Sequence, residues 1–366
     1  MIRLILVTIV VVIAAASGYF FFWPVPIAPV AWQAPPNPGY TGPFKRNTRL
    51  KDVVEMLPIG RHTGPESVAV DTAGRPHVGT RDGWIVVLDA QGKTPHDWVN
   101  TGGEPLGLAF DRAGNLIVAD ARRGLLSIAP DGALSVLADQ AAGTPIRYAD
   151  DVAVAADGKI YFSDASSKFA AADFRNSMEA SVYDLVEHGG HGRLLVYDPA
   201  SATTSVLMSG INFANGVAVD PAGQFVLVVE TGSYRVLRYW LAGPKKGQSD
   251  VLIDQLPSFP DNVTAGRDGR FWVALVSPRS PEIDAMAMRP DTRKLMMRMP
   301  PSMRPAAKPY GHIIALDTAG AVVQDLQDPE GSYAINTSVL ETGRYLYLGS
   351  LVMPSLGRLE KAKVGL

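Results

Sequence analysis

The sequence predicts an all-β fold: a six-bladed β-propeller, its ring closed by an N-terminal outer strand and preceded by one N-terminal transmembrane helix. Three observations carry this expectation. A unit of one kind recurs along the chain, and its last copy lacks an outer strand that an unclaimed segment near the other end can supply. The first residues form an apolar run long enough to cross a bilayer.

That run comes first in the chain. Met1-Ile2-Arg3 is followed by uncharged residues from Leu4 to Val30. Leu4–Trp23, about 20 apolar or small residues, spans a hydrocarbon core of about 30 Å as a helix. Residues 1–23 therefore read as a transmembrane anchor. Arg3 ahead of the run keeps the N-terminus in the cytoplasm and puts the body on the non-cytoplasmic side, periplasmic or extracytoplasmic. Phe20, Phe21, Phe22 and Trp23 fall at the far interface. The rival reading is a signal peptide cleaved near Ala14-Ala15-Ala16-Ser17-Gly18. Residues 24–44 follow as a Pro-rich linker, with Pro24, Pro26, Pro29, Pro35, Pro36 and Pro38. Its missing N–H groups and fixed φ make a stiff spacer between membrane and domain.

Residues 45–366 hold the repeat. A small residue, an apolar–Ala–apolar triplet and a turn ending in Gly recur at Glu66–Gly74, Leu106–Gly114, Asp150–Gly158, Asn215–Gly223 and Asp261–Gly269, with a degenerate copy at Ile335–Gly343. Each continues into further β-branched or aromatic runs bounded by Asp and Gly, which is the radial pattern of propeller blades. The sixth copy has Tyr345–Gly349 and Gly357–Glu360, and then the chain ends. Leu50–Leu57 has no unit of its own, so it is expected to add the missing outer strand and remove a free edge. Two repeats carry long inserts, Ala165–Gly190 and the Met- and Arg-rich Ser277–Pro309. Both are expected on one rim, as a lid over the axial mouth or as a lipid- or partner-contacting surface.

Aligned repeats place one column of residues on the propeller axis: Glu66, Leu106, Asp150, Asn215, Asp261 and Ile335. Glu66, Asp150, Asn215 and Asp261 bring oxygens to one point. Three buried carboxylates there repel one another and call for a counter-charge. Mixed carboxylate and amide oxygens suit Ca2+, as one axial ion, better than magnesium or zinc, with other divalent metals as alternatives. Asn262 can add an oxygen. The plainer reading is a wet channel in which these groups bond neighbouring backbone, with the carboxyls protonated.

Composition excludes several classes. The chain has no cysteine, so disulfides, thiolate metal sites and a Cys nucleophile are absent. A net charge of −2 with no basic stripe interleaved with aromatics gives no footprint for nucleic acid. No Gly-x-Ser-x-Gly elbow occurs. His188 and His191 flank the third-repeat insert and are candidate acid–base groups at the mouth, against the plainer reading of solvated loop histidines. His77 reads as a packing residue.

Phe213–Ala218, Glu230–Trp240 and Phe259–Val263 resemble the strictosidine-synthase-like branch of six-bladed propellers. So do Tyr161–Phe169 and Gly192–Pro199. The wider superfamily includes the gluconolactonase group and the paraoxonases. That resemblance implies an axial calcium held by Glu, Asn, Asn and Asp, which Glu66, Asn215 and Asp261 match. Asp150 stands where those enzymes carry Asn, Leu106 stands where paraoxonases carry His, and Ile335 offers no base. The catalytic glutamate of true strictosidine synthases has no assigned counterpart. The expectation is a calcium-dependent hydrolase of small-molecule esters or lactones, with Asp261 orienting or deprotonating water or attacking directly. A strictosidine-synthase-like lyase, condensing an amine with an aldehyde, and a non-catalytic binding propeller with structural calcium are the alternatives.

Overall fold

The computed structural model describes the backbone of residues 1–366 and the side chains of all but Ala16. Short β-branched runs between Asp-and-Gly turns fold into six antiparallel four-stranded sheets, arranged as blades. Blade 1 is Val68–Val70, Pro76–Gly79, Trp84–Leu88 and Pro95–Asn100. Blade 2 is Pro105–Phe110, Leu116–Asp120, Gly124–Ile128 and Leu134–Ala138. Blade 3 is Ala149–Val154, Ile160–Asp164, Gly192–Asp198 and Thr203–Ile211. Blade 4 is Ala214–Val219, Phe225–Glu230, Arg235–Trp240 and Ser249–Ile253. Blade 5 is Ser258–Ala265, Phe271–Pro278, Gly311–Leu316 and Val322–Asp328.

The recurring Asp and Gly have a physical reason. Asp71 accepts from the N–H groups of Ala73 and Arg75, and Asp317 from those of Ala319 and Ala321. The carboxylate thus nucleates the turn. Gly74 and Gly320 close these turns at φ 79° and 89°, where a side chain would be strained.

Blade 6 shows the expected closure. Asn336–Glu341, Tyr345–Ser350 and Ser355–Glu360 come from the C-terminus, and Val54–Pro58 adds the fourth strand. The strand begins later than the run from Leu50 suggests, because Asp52 turns the chain at φ 57°. Met56 pairs with Gly357, and Leu57 with Leu356. Arg358 donates to Glu55 Oε2 at 3.0 and 2.9 Å and to the Gln91 carbonyl at 2.9 Å. Leu57 packs with Ile59, Val68, Leu88, Tyr347 and Leu356. The seam therefore joins blade 6 to blade 1 by both ladder and core.

Helix Ile2–Phe22 is long and apolar enough to cross a membrane and buries nothing. The first residues to join a packed cluster are Val25 and Ile27, so residues 24–366 retain every core cluster. The linker corrects one expectation. It is extended, as its prolines require, but it is not a free spacer. The N–H of Val30 bonds to Glu187 O at 2.9 Å and that of Trp32 to Ala287 O at 3.2 Å. Arg279 donates to the carbonyls of Pro35 and Pro36 at 2.7 and 3.2 Å. The linker is a strap laid across the two inserts. Those inserts fold into helix Ser177–Glu187 in blade 3 and helices Pro281–Ala285 and Pro290–Arg298 in blade 5. A small hairpin, Gln140–Ala141 with Thr144–Pro145, was not foreseen.

Leu57→Ala is expected to cost about 2–5 kcal/mol in chemical denaturation, because it empties a core position at the seam. Met56→Ala, on the exposed side of the same strand, is expected to stay within about 0.5 kcal/mol.

Candidate active site at the propeller axis

Five of the six inner strands carry a bulge at or next to the column read from the sequence. Register shifts fall between Pro105 and Gly107, Ala149 and Val152, Ala214 and Val217, Pro260 and Val263, and Asn336 and Val339. A bulge frees residues from the ladder and re-aims their side chains. It does so here at Leu106, Asp150, Asn215 and Asp261. Glu66 sits just before the inner strand of blade 1. Its carbonyl is fixed by Thr337 Oγ1 at 2.6 Å and Ser338 Oγ at 2.7 Å. Glycines permit the close approach of neighbouring strands: a Cβ on Gly216 would lie 2.4 Å from Asn262 Cα, and one on Gly349 would lie 2.0 Å from Glu66 O.

Glu66, Asp150, Asn215, Asp261 and Asn262 are all buried. Asp150 Oδ1, Asn215 Oδ1, Asp261 Oδ1 and both terminal atoms of the Asn262 amide have no hydrogen-bond partner. Buried polar atoms are rarely left in this state. Burial raises the pKa of Glu66 well above the carboxylate range, and the charges of Asp150 and Asp261 raise it further. Asp150 is raised by burial and then by Asp261 and Asp151. Asp261 is raised by burial, partly offset by the Asn215 amide. Among the described residues no group of three histidine or acidic side chains is close enough to hold a metal ion unaided. A cation here would draw on the amide oxygens of Asn215 and Asn262 as well. The free oxygens and the unmet negative charge fit a hard cation.

Asp151 is the instructive neighbour. It is as buried as Asp150, but its oxygens accept from Val152 N at 2.9 Å and Val217 N at 2.8 Å. Burial pushes it up to about 7, with those two bonds opposing. It ties blade 3 to blade 4, while Asp150 Oδ1 beside it is left free.

Two further residues escaped the sequence reading. Glu104 is buried and accepts from Ser177 N at 3.0 Å and Ser177 Oγ at 2.6 Å, with Arg122 at 3.6 Å. Its charge is felt by both Glu66 and Asp150. Tyr148 is buried, and its hydroxyl is raised by burial and by the charges of Asp150, Glu66 and Glu104. A signal existed. Two residues before each column member stand Gly64, Glu104, Tyr148, Phe213, Phe259 and Tyr333, a largely aromatic set in which Glu104 is the one acid. Tyr148 meets Phe213 edge-on at 5.4 Å, and both pack with Leu106, Ala165 and Ala180. A buried apolar cluster thus lies beside the buried carboxyls, and helix Ser177–Glu187 starts against it through Glu104.

The histidines are engaged elsewhere. His188 stacks on Trp32 of the strap, with centroids 3.9 Å apart, and burial pushes it down to about 3. His191 Nε2 bonds to Glu187 Oε1 at 2.6 Å, and Glu187 also takes Lys168 and the N–H of Ala28. Among the described residues no hydrogen bond joins either ring to the axial group. Both fasten the strap. His77 packs edge-on against Trp98 and Phe110, as expected. It lines a cavity of about 510 Å3 between blades 1 and 2, which no axial residue touches.

Comparison with known proteins follows this geometry. The strictosidine synthase family matches residues 150–244, and the strictosidine synthase-like N-terminal family matches residues 42–88. Strictosidine synthase-like 13 of Arabidopsis thaliana is 32% identical over 339 residues, covering 83% of this chain and 82% of its own. Adipocyte plasma membrane-associated protein of Danio rerio is 32% identical over 362 residues, covering 93% and 85%. Among solved structures, a gluconolactonase of Xanthomonas campestris superposes with a TM-score of 0.60 at 16% identity, covering 84% of this chain and 88% of its own. Regucalcin of Agrobacterium tumefaciens, a calcium-binding protein, does so with 0.57 at 14%, covering 84% and 93%. These two likenesses concern the fold.

A carboxyl raised in the folded state holds a proton that the unfolded chain releases. Its stabilising contribution is complete below the unfolded value and is lost as pH rises through the folded one. For Asp151 that window runs from 3.8 to about 7, and Glu66, Asp150 and Asp261 act in the same direction. In chelator, the thermal midpoint is expected to fall from about pH 5 to about pH 8. A midpoint that climbs over that range would contradict the assignment.

Proposed function

The chain belongs to the strictosidine synthase-like family, and on that premise we propose that it is a membrane-anchored, calcium-dependent hydrolase of esters or lactones. The observation that carries this reading is the set of buried oxygens without partners on Asp150, Asn215 and Asp261, at one position of three successive inner strands. Glu66, Asp150, Asn215, Asp261 and Asn262 are the residues that would hold the cation. When bound, it would polarise a substrate carbonyl and stabilise the oxyanion. Asp261, with Oδ1 free, would accept the proton of an attacking water or attack the carbonyl itself. Tyr148, Phe213 and Leu106 would seat the apolar part of the substrate. Helix Ser177–Glu187 and the strap would exclude water. The gluconolactonase and regucalcin likenesses support a small-molecule substrate and a divalent metal. Arg3 ahead of the helix supports placing the propeller on the non-cytoplasmic side.

Glu104 favours a second reading. Amine–aldehyde condensation of the strictosidine synthase kind needs an acid–base carboxylate and no metal, and what supports this reading is Glu104, a buried carboxyl whose charge is felt by Glu66 and Asp150. Calcium dependence separates the two.

The protein should be tested as residues 24–366, since a start near residue 40 removes the strap. Aryl esters and lactones are expected to be hydrolysed with calcium and not with chelator. Calcium at about 100 times its Kd is expected to add about 2.7 kcal/mol of stability. Asp261→Asn is expected to lower kcat/KM by about 100-fold or more. Unchanged hydrolysis by that variant with metal still bound would sink the mechanism. Turnover of no ester or lactone, with an amine–aldehyde pair condensed in chelator, would favour the lyase.

A further inference from the structure

We propose that the blade 5 insert is a second membrane contact, a basic and methionine-bearing surface that rests on anionic lipid headgroups where the N-terminal helix leaves the bilayer. The end of that helix gives the first observation. Tyr19 OH donates to Arg298 O at 3.1 Å, and Arg298 donates from Nε to Trp23 O at 2.7 Å and from Nη1 to Phe20 O at 3.1 Å. The last carbonyls of a helix have no partner within it. Arg298 takes two of them, so helix Pro290–Arg298 is docked at the level where the apolar run stops.

Charge gives the second. From Met286 to Lys308 the chain carries Arg289, Arg293, Lys294, Arg298, Arg304 and Lys308 against Asp291 alone, in a protein of net charge −2. Arg293 is buried and donates to the carbonyls of Val186, Val30 and Ala287. Among the described residues none of the other five forms an ion pair, although the neighbouring arginines Arg270 and Arg279 both do. Unpaired cations beside a membrane helix attract anionic headgroups.

Exposure gives the third. Met296 and Met297 face inward onto Ile27 and Phe169, while Met288 and Met303 of the same insert are 61% and 63% exposed. Apolar side chains interleaved with cations suit the headgroup layer. The occupant is therefore a bilayer surface rather than a second copy of the chain: the patch is continuous with the anchor and opposite in charge to anionic lipid. The contact does not depend on the hydrolase reading, and its test reads lipid proximity rather than turnover.

The chain has no cysteine, so single cysteines report single places. Full-length protein carrying Met288→Cys, Met303→Cys or Val136→Cys would be labelled with a fluorophore and reconstituted in phosphatidylglycerol–phosphatidylcholine bilayers. Val136 is the reference, 47% exposed on the outer strand of blade 2. Headgroup-level nitroxide lipid is expected to quench the labels at 288 and 303 and to leave 136 bright. Equal quenching at all three, or none at 288 and 303, overturns the proposal. In a second arm, residues 24–366 are mixed with vesicles. Binding is expected to phosphatidylglycerol and not to phosphatidylcholine. The combined variant Arg289→Gln, Lys294→Gln, Lys308→Gln is expected to bind about 100-fold more weakly, at about fivefold per charge. Undiminished vesicle binding by that variant overturns the proposal, as does self-association that the variant abolishes in the absence of vesicle binding.

Discussion

Closure of the ring is the constraint on which the site depends. Inner strands converge on an axis only when the last blade is held against the first, and that is the work of Val54–Pro58 beside Ser355–Glu360. The seam also places a functional residue directly. Glu66 belongs to blade 1, but its carbonyl is held by Thr337 and Ser338 of blade 6, with Gly349 leaving room for it. An opened ring would lose not only an edge ladder but the position of one of the three axial carboxyls. Arg358 reinforces the joint from outside by reaching both the closing strand and the blade 1 turn at Gln91.

Once the ring is closed, burial alone does not explain what is gathered at its centre. Asp150 and Asp151 are adjacent, equally hidden from solvent and both raised in pKa. Asp151 offsets part of its desolvation cost through two backbone N–H bonds, one from Val152 beside it and one from Val217 that ties blade 3 to blade 4. Asp150 Oδ1 has no such compensation. A buried polar oxygen left without a partner costs about 1–3 kcal/mol, and more once the group ionises. Partnerless oxygens recur on Asn215 and Asp261 in the next two blades, and it is these that the proposed cation would satisfy.

What was legible in the sequence follows from periodicity. The turns were visible because Asp71 and Asp317 each satisfy two backbone donors from one carboxylate and leave the same Asp–x–x–Gly spacing behind. The axial column was visible because a bulge at the inner strands of blades 2 to 5 exempts one position from the apolar alternation. The closing strand was visible as a surplus at one end and a deficit at the other. Glu104 and Tyr148 sat in a second column, two positions earlier, masked by the apolar Leu106 that follows Glu104. His188 and His191 misled because nearness to an insert says nothing of what covers it: Trp32 lies over one, and Glu187 binds the other. The docking of the linker left no pattern at all, since its partners lie more than 150 residues away and it is bound largely through main-chain atoms.

That docking has its own logic. An extended proline-rich chain makes no internal hydrogen bonds, so its carbonyls need donors from elsewhere or water. Arg279 and Arg293 supply them along the strap, and Arg298 supplies them at the helix end, all from one insert. The N-terminal helix, the strap and the two inserts are thereby joined into one connected unit. Its pH response can be narrowed. His188, held neutral by burial with a pKa of about 3, keeps the same charge throughout the neutral range, so its stack with Trp32 is not a protonation switch there. On the proposed function, a substrate reaching the axial residues beneath the strap would therefore have to compete with the Trp32 stack and the arginine-to-carbonyl bonds rather than wait on a change in histidine charge.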